Sequence, residues 1–372
     1  MEMKANADTF ALERAISAEL MPAIDLVRCE QGSSSGGQEM KFGLAMSALL
    51  ALLTVLMTGS AVMAGEIVDA TEVRAAMQRG AILWDIRDAE AYAQGHIAGA
   101  VNIGQAAAVL RNPNTEDYLP IARVQKLLGT AGIDLSKEVV VYGRRGDPSA
   151  YWALTTVRHF GGKLGRVFHG GLDAWQAAGL PLSKEKTRLA PVQQTLRIDP
   201  SVQVYLPEVL AKVGNPDVQF VDTREPTEFN GNAVKALRGG HIPGALNIPY
   251  ECNWVDPTAA IRLAEGDAQA RDGMALKSPA QLKSLYAGLD PQKETIVYCQ
   301  SGVRASETAW VLVSLGFEKV RVFEESWLGY GNDLSAPAED VQFVNVGALN
   351  ARIERLEAAV RKLTAELKAA AK

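Results

Sequence analysis

One block of sequence occurs twice in this chain, and that duplication limits the possible folds more than any other feature. Ile82-Leu83-Trp84-Asp85-Ile86-Arg87-Asp88 is followed by Gly95-His96-Ile97-Ala98-Gly99-Ala100-Val101-Asn102-Ile103. Later, Gln219-Phe220-Val221-Asp222-Thr223-Arg224-Glu225 is followed by Gly240-His241-Ile242-Pro243-Gly244-Ala245-Leu246-Asn247-Ile248. Val139-Val140-Val141-Tyr142 matches Thr295-Ile296-Val297-Tyr298, and Gly165-Arg166-Val167-Phe168 matches Val320-Arg321-Val322-Phe323. In both copies short β-branched runs alternate with longer helical stretches, such as Ser149 to Phe160 and Ala305 to Leu315. Strands alternating with helices require a mainly parallel sheet covered on both faces, so the expected class is α/β with two such domains. A chain of 372 residues has room for both. The expected units are residues 65–185 and 204–337, joined by a linker over 186–203 that contains Pro191 and Pro200 among polar residues.

Composition excludes one class of partner. With 38 Lys+Arg against 43 Asp+Glu and no basic run, nothing in the chain suits nucleic acid. The amino terminus carries an address. From Met40, Lys41 supplies a positive start, Phe42 to Met57 an apolar stretch, and Val62-Met63-Ala64 a small-residue cleavage site. Residues 40–64 therefore read as a signal peptide, with the protein periplasmic or secreted. A membrane anchor through residues 42–63 is the alternative. A secretion signal acts at a chain start, so residues 1–39, with Gly32-Ser33-Ser34-Ser35-Gly36-Gly37, read as a mis-called extension. One of the three cysteines, Cys29, lies in that extension, leaving Cys252 and Cys299 in the body of the chain.

Cys299 stands where a buried strand ends and a helix begins, with Gln300-Ser301-Gly302-Val303-Arg304 between them. Such a turn aims backbone N–H groups at one point, and the following helix adds its positive end. A thiolate there is stabilised. Gly302 permits backbone angles that other residues resist, and Arg304 adds a fixed positive charge. The first copy reads Tyr142-Gly143-Arg144-Arg145-Gly146-Asp147-Pro148 at the same place. It has no nucleophile, and Pro148 lacks one N–H donor. That copy is expected to be catalytically silent, with Arg144 and Arg145 either binding an anion or facing solvent.

Asp-x-Arg after a buried strand, Gly-His-Ile-x-Gly-Ala-x-Asn, and a strand ending in Tyr298-Cys299-Gln300-Ser301-Gly302-Val303-Arg304 together resemble the rhodanese family. The second copy adds Lys277-Ser278-Pro279 and Ser326-Trp327-x-x-Tyr330-Gly331-Asn332, similar to its tandem-domain thiosulfate sulfurtransferases in particular. The resemblance implies a double displacement in which Cys299 takes sulfur from a donor as a persulfide and passes it to cyanide or a thiol. It implies no metal and no organic cofactor. Gln300, Ser301, Gly302, Val303 and Arg304 would surround the sulfur, and Arg224 and Arg238 are candidates for binding an anionic donor. Both arginines also admit a plain role in structural ion pairs. Related phosphatases and arsenate reductases use a Cys-x5-Arg cradle, one residue longer than the four between Cys299 and Arg304 here, so a Cys-dependent phosphatase is a lesser alternative. A non-catalytic rhodanese-like binding module is another. The loop also differs from the Cys-Gly-Ser-Gly-Val-Thr type of mercaptopyruvate enzymes, which favours thiosulfate. Cys252 lies on a segment leaving the same end of the sheet, so a reversible bond to Cys299 and a distant, structural thiol are both open.

After Asn345, Leu349, Ile353, Leu356, Val360, Leu363 and Leu367 alternate steps of four and three. That is the a/d stripe of a coiled coil, expected over residues 346–372. It joins two subunits or folds back on its own domain.

Overall fold

A computed structural model describes residues 65–370. Expectations for the leader at 40–64 and the extension at 1–39 lie outside these residues. Each copy builds one five-stranded sheet. The first contains β1 (Ile67–Val68), β2 (Ile82–Asp85), β3 (Val101–Asn102), β4 (Val139–Tyr142) and β5 (Gly165–Phe168). The second contains β6 (Gln203–Val204), β7 (Val218–Asp222), β8 (Leu246–Asn247), β9 (Glu294–Tyr298) and β10 (Lys319–Phe323). All pairings within them are parallel, and the order is the same twice: β1-β5-β4-β2-β3 and β6-β10-β9-β7-β8. The fold class read from the repeat is therefore the one observed. The strand runs are unbroken rather than alternating because both faces are covered, and all four residues of β2 and of β4 are buried.

The two copies meet through equivalent helices, α1 (Pro148–His159) and α2 (Val303–Ser314), each following the fourth strand of its copy. α1 starts conventionally, with Pro148 in its first turn and the Asp147 carboxylate accepting from Ser149 N. α2 starts at Gly302, which has φ +80° and offers no side-chain cap. Both are buried almost all round, the mark of an internal helix rather than a surface one. Trp310 on α2 sits in the core of the first domain, donating from Nε1 to Thr155 Oγ1 of α1 at 2.9 Å. The Arg158 guanidinium lies 5.4 Å from its ring centre.

The stretch over 186–203 is a strap on the first domain. Leu196 is buried in that domain's core, Leu196 N donates to Gln125 Oε1 and Val192 N to Gly129 O, and the stretch ends in β6. Two shorter elements matter below: a turn over 111–118, closed by pairing of Arg111 with Tyr118, and α3 (Ser326–Asn332). The last helix, α4 (Val346–Ala370), has no buried residue, so it does not fold back on its own domain. Among the described residues no helix is long and apolar enough to cross a membrane.

Because Trp310 fills the first domain's core from the second, Trp310→Ala should cost about 3–5 kcal/mol. It should also let the domains melt separately. Denaturant unfolding followed by circular dichroism and by tryptophan fluorescence should lose the coincidence of its two transitions; retained coincidence with an unchanged midpoint would show that this contact does not couple the domains.

Candidate active site

Cys299 follows directly on β9, and its place is set by bracing that occurs in both copies. Arg224 donates to both oxygens of Asp222, at 3.0 Å from Nε and 2.6 Å from Nη2, and reaches Gly240 O at 2.7 Å. Arg87 does the same with Asp85 and Gly95 O. Asn247 ties Asp222 O to Arg224 O, as Asn102 ties Asp85 O to Arg87 O. The Tyr298 hydroxyl accepts from Ile242 N, and that of Tyr142 from Ile97 N. A device present in a copy without a nucleophile serves the fold. Arg224, offered by the sequence for a donor, is 1% exposed and committed to this brace, with Trp327 stacked 4.6 Å from its guanidinium. Arg238 is corrected likewise: it is buried and donates to the carbonyls of Asp333 and Ala336, holding α3 and the chain after it.

Around Cys299 itself the donors are differently placed. The thiol is free and 1% exposed. Cys299 N donates to Ser326 Oγ at 3.2 Å, while Trp327 N and Leu328 N of α3 donate to the carbonyls of Cys299 and Gln300. These bonds pin the backbone of the loop by its carbonyls. Its donors are left over: among the described residues, no protein oxygen accepts from the N–H groups of residues 300 to 305, and Ser306 is the first to donate, to Gly302 O. A run of amides left unpaired at a helix start beside a buried thiol is suited to cradle an anion. Gln300 secures the rim by donating from Nε2 to Lys235 O. Ser301 contributes backbone, Gly302 the left-handed turn, and Val303 the first helical residue, packed against the first domain.

Arg304 lies beside this loop with its fork occupied, Nη1 and Nη2 reaching the two oxygens of buried Glu228 at 2.8 and 3.1 Å. Burial pulls the guanidinium toward neutrality, but the Glu228 carboxylate and the nearby Cys299 more than offset it, so Arg304 stays protonated. Glu228 is held below the usual carboxylate range against its own burial by Arg304 and Lys235. The sequence reading missed Glu228; its signal was the capping box Glu225-Pro-Thr-Glu228, a charged residue fixed at a helix start. It also missed Arg111, which crosses from the first domain to donate from Nη1 to Ser301 O at 2.8 Å. A partner separated by 190 positions leaves no local trace.

The first copy's loop is filled by its own side chain. A Cβ built on Gly143 would meet Asp147 Oδ2 and Ile86 Cδ1, each at 3.0 Å. Arg144 pairs with Asp173, and Arg145 crosses to Asp272. Cys252 is buried, and since Cys299 is a free thiol the bond between them is not made.

Two buried carboxyls flank the site. Burial raises Glu307, on α2, to about 8, although Trp254 Nε1 donates to its Oε1 at 2.8 Å; Glu251 and Asp147 add repulsion. Burial likewise raises Glu251 to about 7, against the pull of Arg304. Glu251 Oε2 and Glu307 Oε2 have no hydrogen-bond partner among the described residues.

The rhodanese-like domain family matches residues 69–178 and 206–333. A thiosulfate sulfurtransferase of Corynebacterium glutamicum is 35% identical over 269 residues, covering 68% of this chain and 82% of that protein. The thiosulfate sulfurtransferase of Azotobacter vinelandii is 32% identical over 265 residues, covering 69% and 90%. Among solved structures, the anaerobic ergothioneine biosynthesis enzyme from Chlorobium limicola, in complex with trimethyl histidine, aligns with a TM-score of 0.63 at 23% identity. The alignment spans 74% of this chain and 70% of that one, and likens the fold alone.

The raised Glu307 makes stability depend on pH with a definite sign. A carboxyl whose folded value exceeds its unfolded one stabilises fully below about pH 4.5 and loses that contribution as pH rises through about 8. Glu307→Gln keeps an acceptor for Trp254 and carries no charge. Its melting temperature should exceed that of the parent at about pH 9, with the gap closing toward about pH 5. Parallel melting curves across that range would show that Glu307 is not held neutral by the fold.

Proposed function

The chain belongs to the rhodanese family, and from that membership we propose that this sulfurtransferase moves the outer sulfur of thiosulfate to a thiophilic acceptor through a persulfide on Cys299. One observation carries the reading: a buried free thiol heads a turn whose six amides, from residue 300 to 305, meet no protein acceptor among the described residues. The Cys299 thiolate attacks the outer sulfur of thiosulfate; the S–S bond of the donor breaks and sulfite leaves with the bonding pair. One charge of the three remains, on the terminal sulfur of the new persulfide, where neutral amide dipoles can hold it. Cyanide or a thiolate then attacks that sulfur, leaves as thiocyanate or a new persulfide, and returns the Cys299 thiolate.

The names of the relatives at 32–35% identity support thiosulfate as donor. The short loop, four residues between Cys299 and Arg304, suits one sulfur atom better than a tetrahedral oxyanion. With Gly143 in the place of Cys299 and Asp147 filling its loop, the first domain carries no sulfur in this scheme. We assign the reaction to the periplasm or the exterior on the strength of the leader-like residues 40–64.

Incubation with thiosulfate should add the mass of one sulfur atom to the protein, and cyanide should remove it. Cys299→Ser should lose the added mass, lower thiocyanate formation by at least about 10³-fold, and keep the parent's melting temperature. A variant that still gains sulfur would refute Cys299 as the carrier.

A further inference from the structure

We propose that Arg111, from the domain without a nucleophile, is a positioning residue that sets the orientation of the Cys299 loop; this rests on the sulfurtransferase reading. Arg111 is 5% exposed, and its guanidinium lies over the Trp152 ring, 4.5 Å from the ring centre. Nη1 takes Ser301 O at 2.8 Å, and Nη2 is ion-paired with Glu324, which Gln203 also holds. In a trans peptide the C=O and the next N–H point in opposite directions. Fixing Ser301 O on Arg111 therefore turns Gly302 N–H to the opposite side, among the donors that no oxygen of the described residues takes. The same pair floors the turn: a Cβ on Gly302 would meet Glu324 O at 3.0 Å and Arg111 Nη2 at 3.4 Å. The arrangement is reciprocal. Arg145 occupies the position of Ser301 in the first copy, and Arg271 of the second domain donates to Arg145 O at 3.1 Å. Gly146 there has φ +76°, matching Gly302 at +80°. Each domain thus holds the other's loop by one carbonyl, and only one of those loops carries a thiol.

Removing Arg111 alone leaves Glu324 buried and unpaired and endangers folding. Arg111→Met with Glu324→Gln removes both charges, and Arg111→Lys keeps the charge without the fork. Two readouts separate positioning from stability: turnover of thiosulfate and cyanide, and the rate at which iodoacetamide alkylates Cys299 at fixed neutral pH. The double variant should fold, lose about tenfold or more in kcat with a smaller change in KM, and alkylate several-fold more slowly. Lys should restore part of both. Parent-like kcat and alkylation in the folded double variant would overturn the proposal. Failure of the parent to gain sulfur would instead sink the sulfurtransferase reading, and the alkylation rates would still report on Arg111.

A separate observation carries a second inference: we propose that α4 pairs with the α4 of a second copy as a parallel two-stranded coiled coil. Val346, Ile353, Val360 and Leu367 take the a positions, and Leu349, Leu356, Leu363 and Ala370 the d positions. Of these, Val346, Leu349, Ile353, Leu356, Val360 and Leu367 are exposed. β-branched residues at a with Leu at d favour two parallel strands. Arg352 at g then faces Glu357 at e of the other copy, five positions on, giving two ion pairs across the dimer. A lone helix with this face open is not stabilised by the rest of its chain. Light scattering should give twice the chain mass for the full protein and the single mass after deletion of 346–372. Arg352→Glu should weaken the dimer, and adding Glu357→Arg should restore it, a rescue specific to the parallel register. A single chain mass for the full protein would overturn the pairing, and absence of rescue would overturn the register.

Discussion

The left-handed turn at Gly302 is the constraint on which the remainder of the site depends. A helix start normally satisfies its free amides with a capping side chain, as Asp147 does for α1. α2 has none, and among the described residues the amides from 300 to 305 meet no protein acceptor. Such an arrangement is costly in isolation and has to be held by neighbours. The neighbours are identifiable: α3 takes the carbonyls of Cys299 and Gln300, Arg111 takes that of Ser301, and Ser306 that of Gly302. Each carbonyl from Cys299 to Gly302 thus has a donor, and three of the four donors come from outside the turn and its own helix.

The duplication acts as an internal control on which features are structural. The Asp–Arg brace, the asparagine clip and the buried tyrosine hydroxyl occur in both copies with bond lengths agreeing within about 0.2 Å. They belong to the sheet and its loops, whatever chemistry follows. In the turn after the fourth strand the copies share only Gly146 and Gly302, and the exchanges that bear on chemistry are Gly143 for Cys299, Asp147 for Val303 and Pro148 for Arg304. The first copy closes its cradle with its own carboxylate, whereas the second leaves it open and places a cation beside it. Divergence within this one turn separates a scaffold from a reactive site, while the helices that join the domains remain equivalent.

Much of this was legible in the sequence because it rests on local pattern. The two parallel sheets follow from repeated β-branched runs, and the thiol turn from Cys299, Gly302 and the helix after it. Arg224 and Arg238 were misjudged as candidates for the substrate because sequence records a charge and its spacing but not its burial. Each spends its donors on carboxylate or carbonyl oxygens within its own domain. Glu228 and Arg111 were missed for the complementary reason. Their partners, Arg304 and Ser301, lie 76 and 190 positions away; the fold of the second domain brings Glu228 to the loop, and the packing of the two domains brings Arg111.

The charge balance of the site bears on the chemistry proposed for it. Arg304 is the cation nearest the thiol in sequence, yet Glu228 neutralises it, so the pair presents little net charge. Attraction for an anion then rests mainly on oriented amides, whose dipoles act at short range and favour a compact charge over a large one. Thiosulfate and sulfite are dianions, while the persulfide is a monoanion fixed to the loop by its own covalent bond. A strongly cationic pocket would hold the departing sulfite and slow its release. One made of neutral donors holds the bound sulfur and lets the free dianion go. Glu251 and Glu307, buried and raised to about 7 and 8, extend the same balance by keeping negative charge out of the interior until the pH rises. Lys235, half-exposed and 3.3 Å from Glu228, shares that carboxylate with Arg304, so the three groups keep one net positive charge, placed at the rim where solvent screens it and suited to drawing an anion in without trapping it.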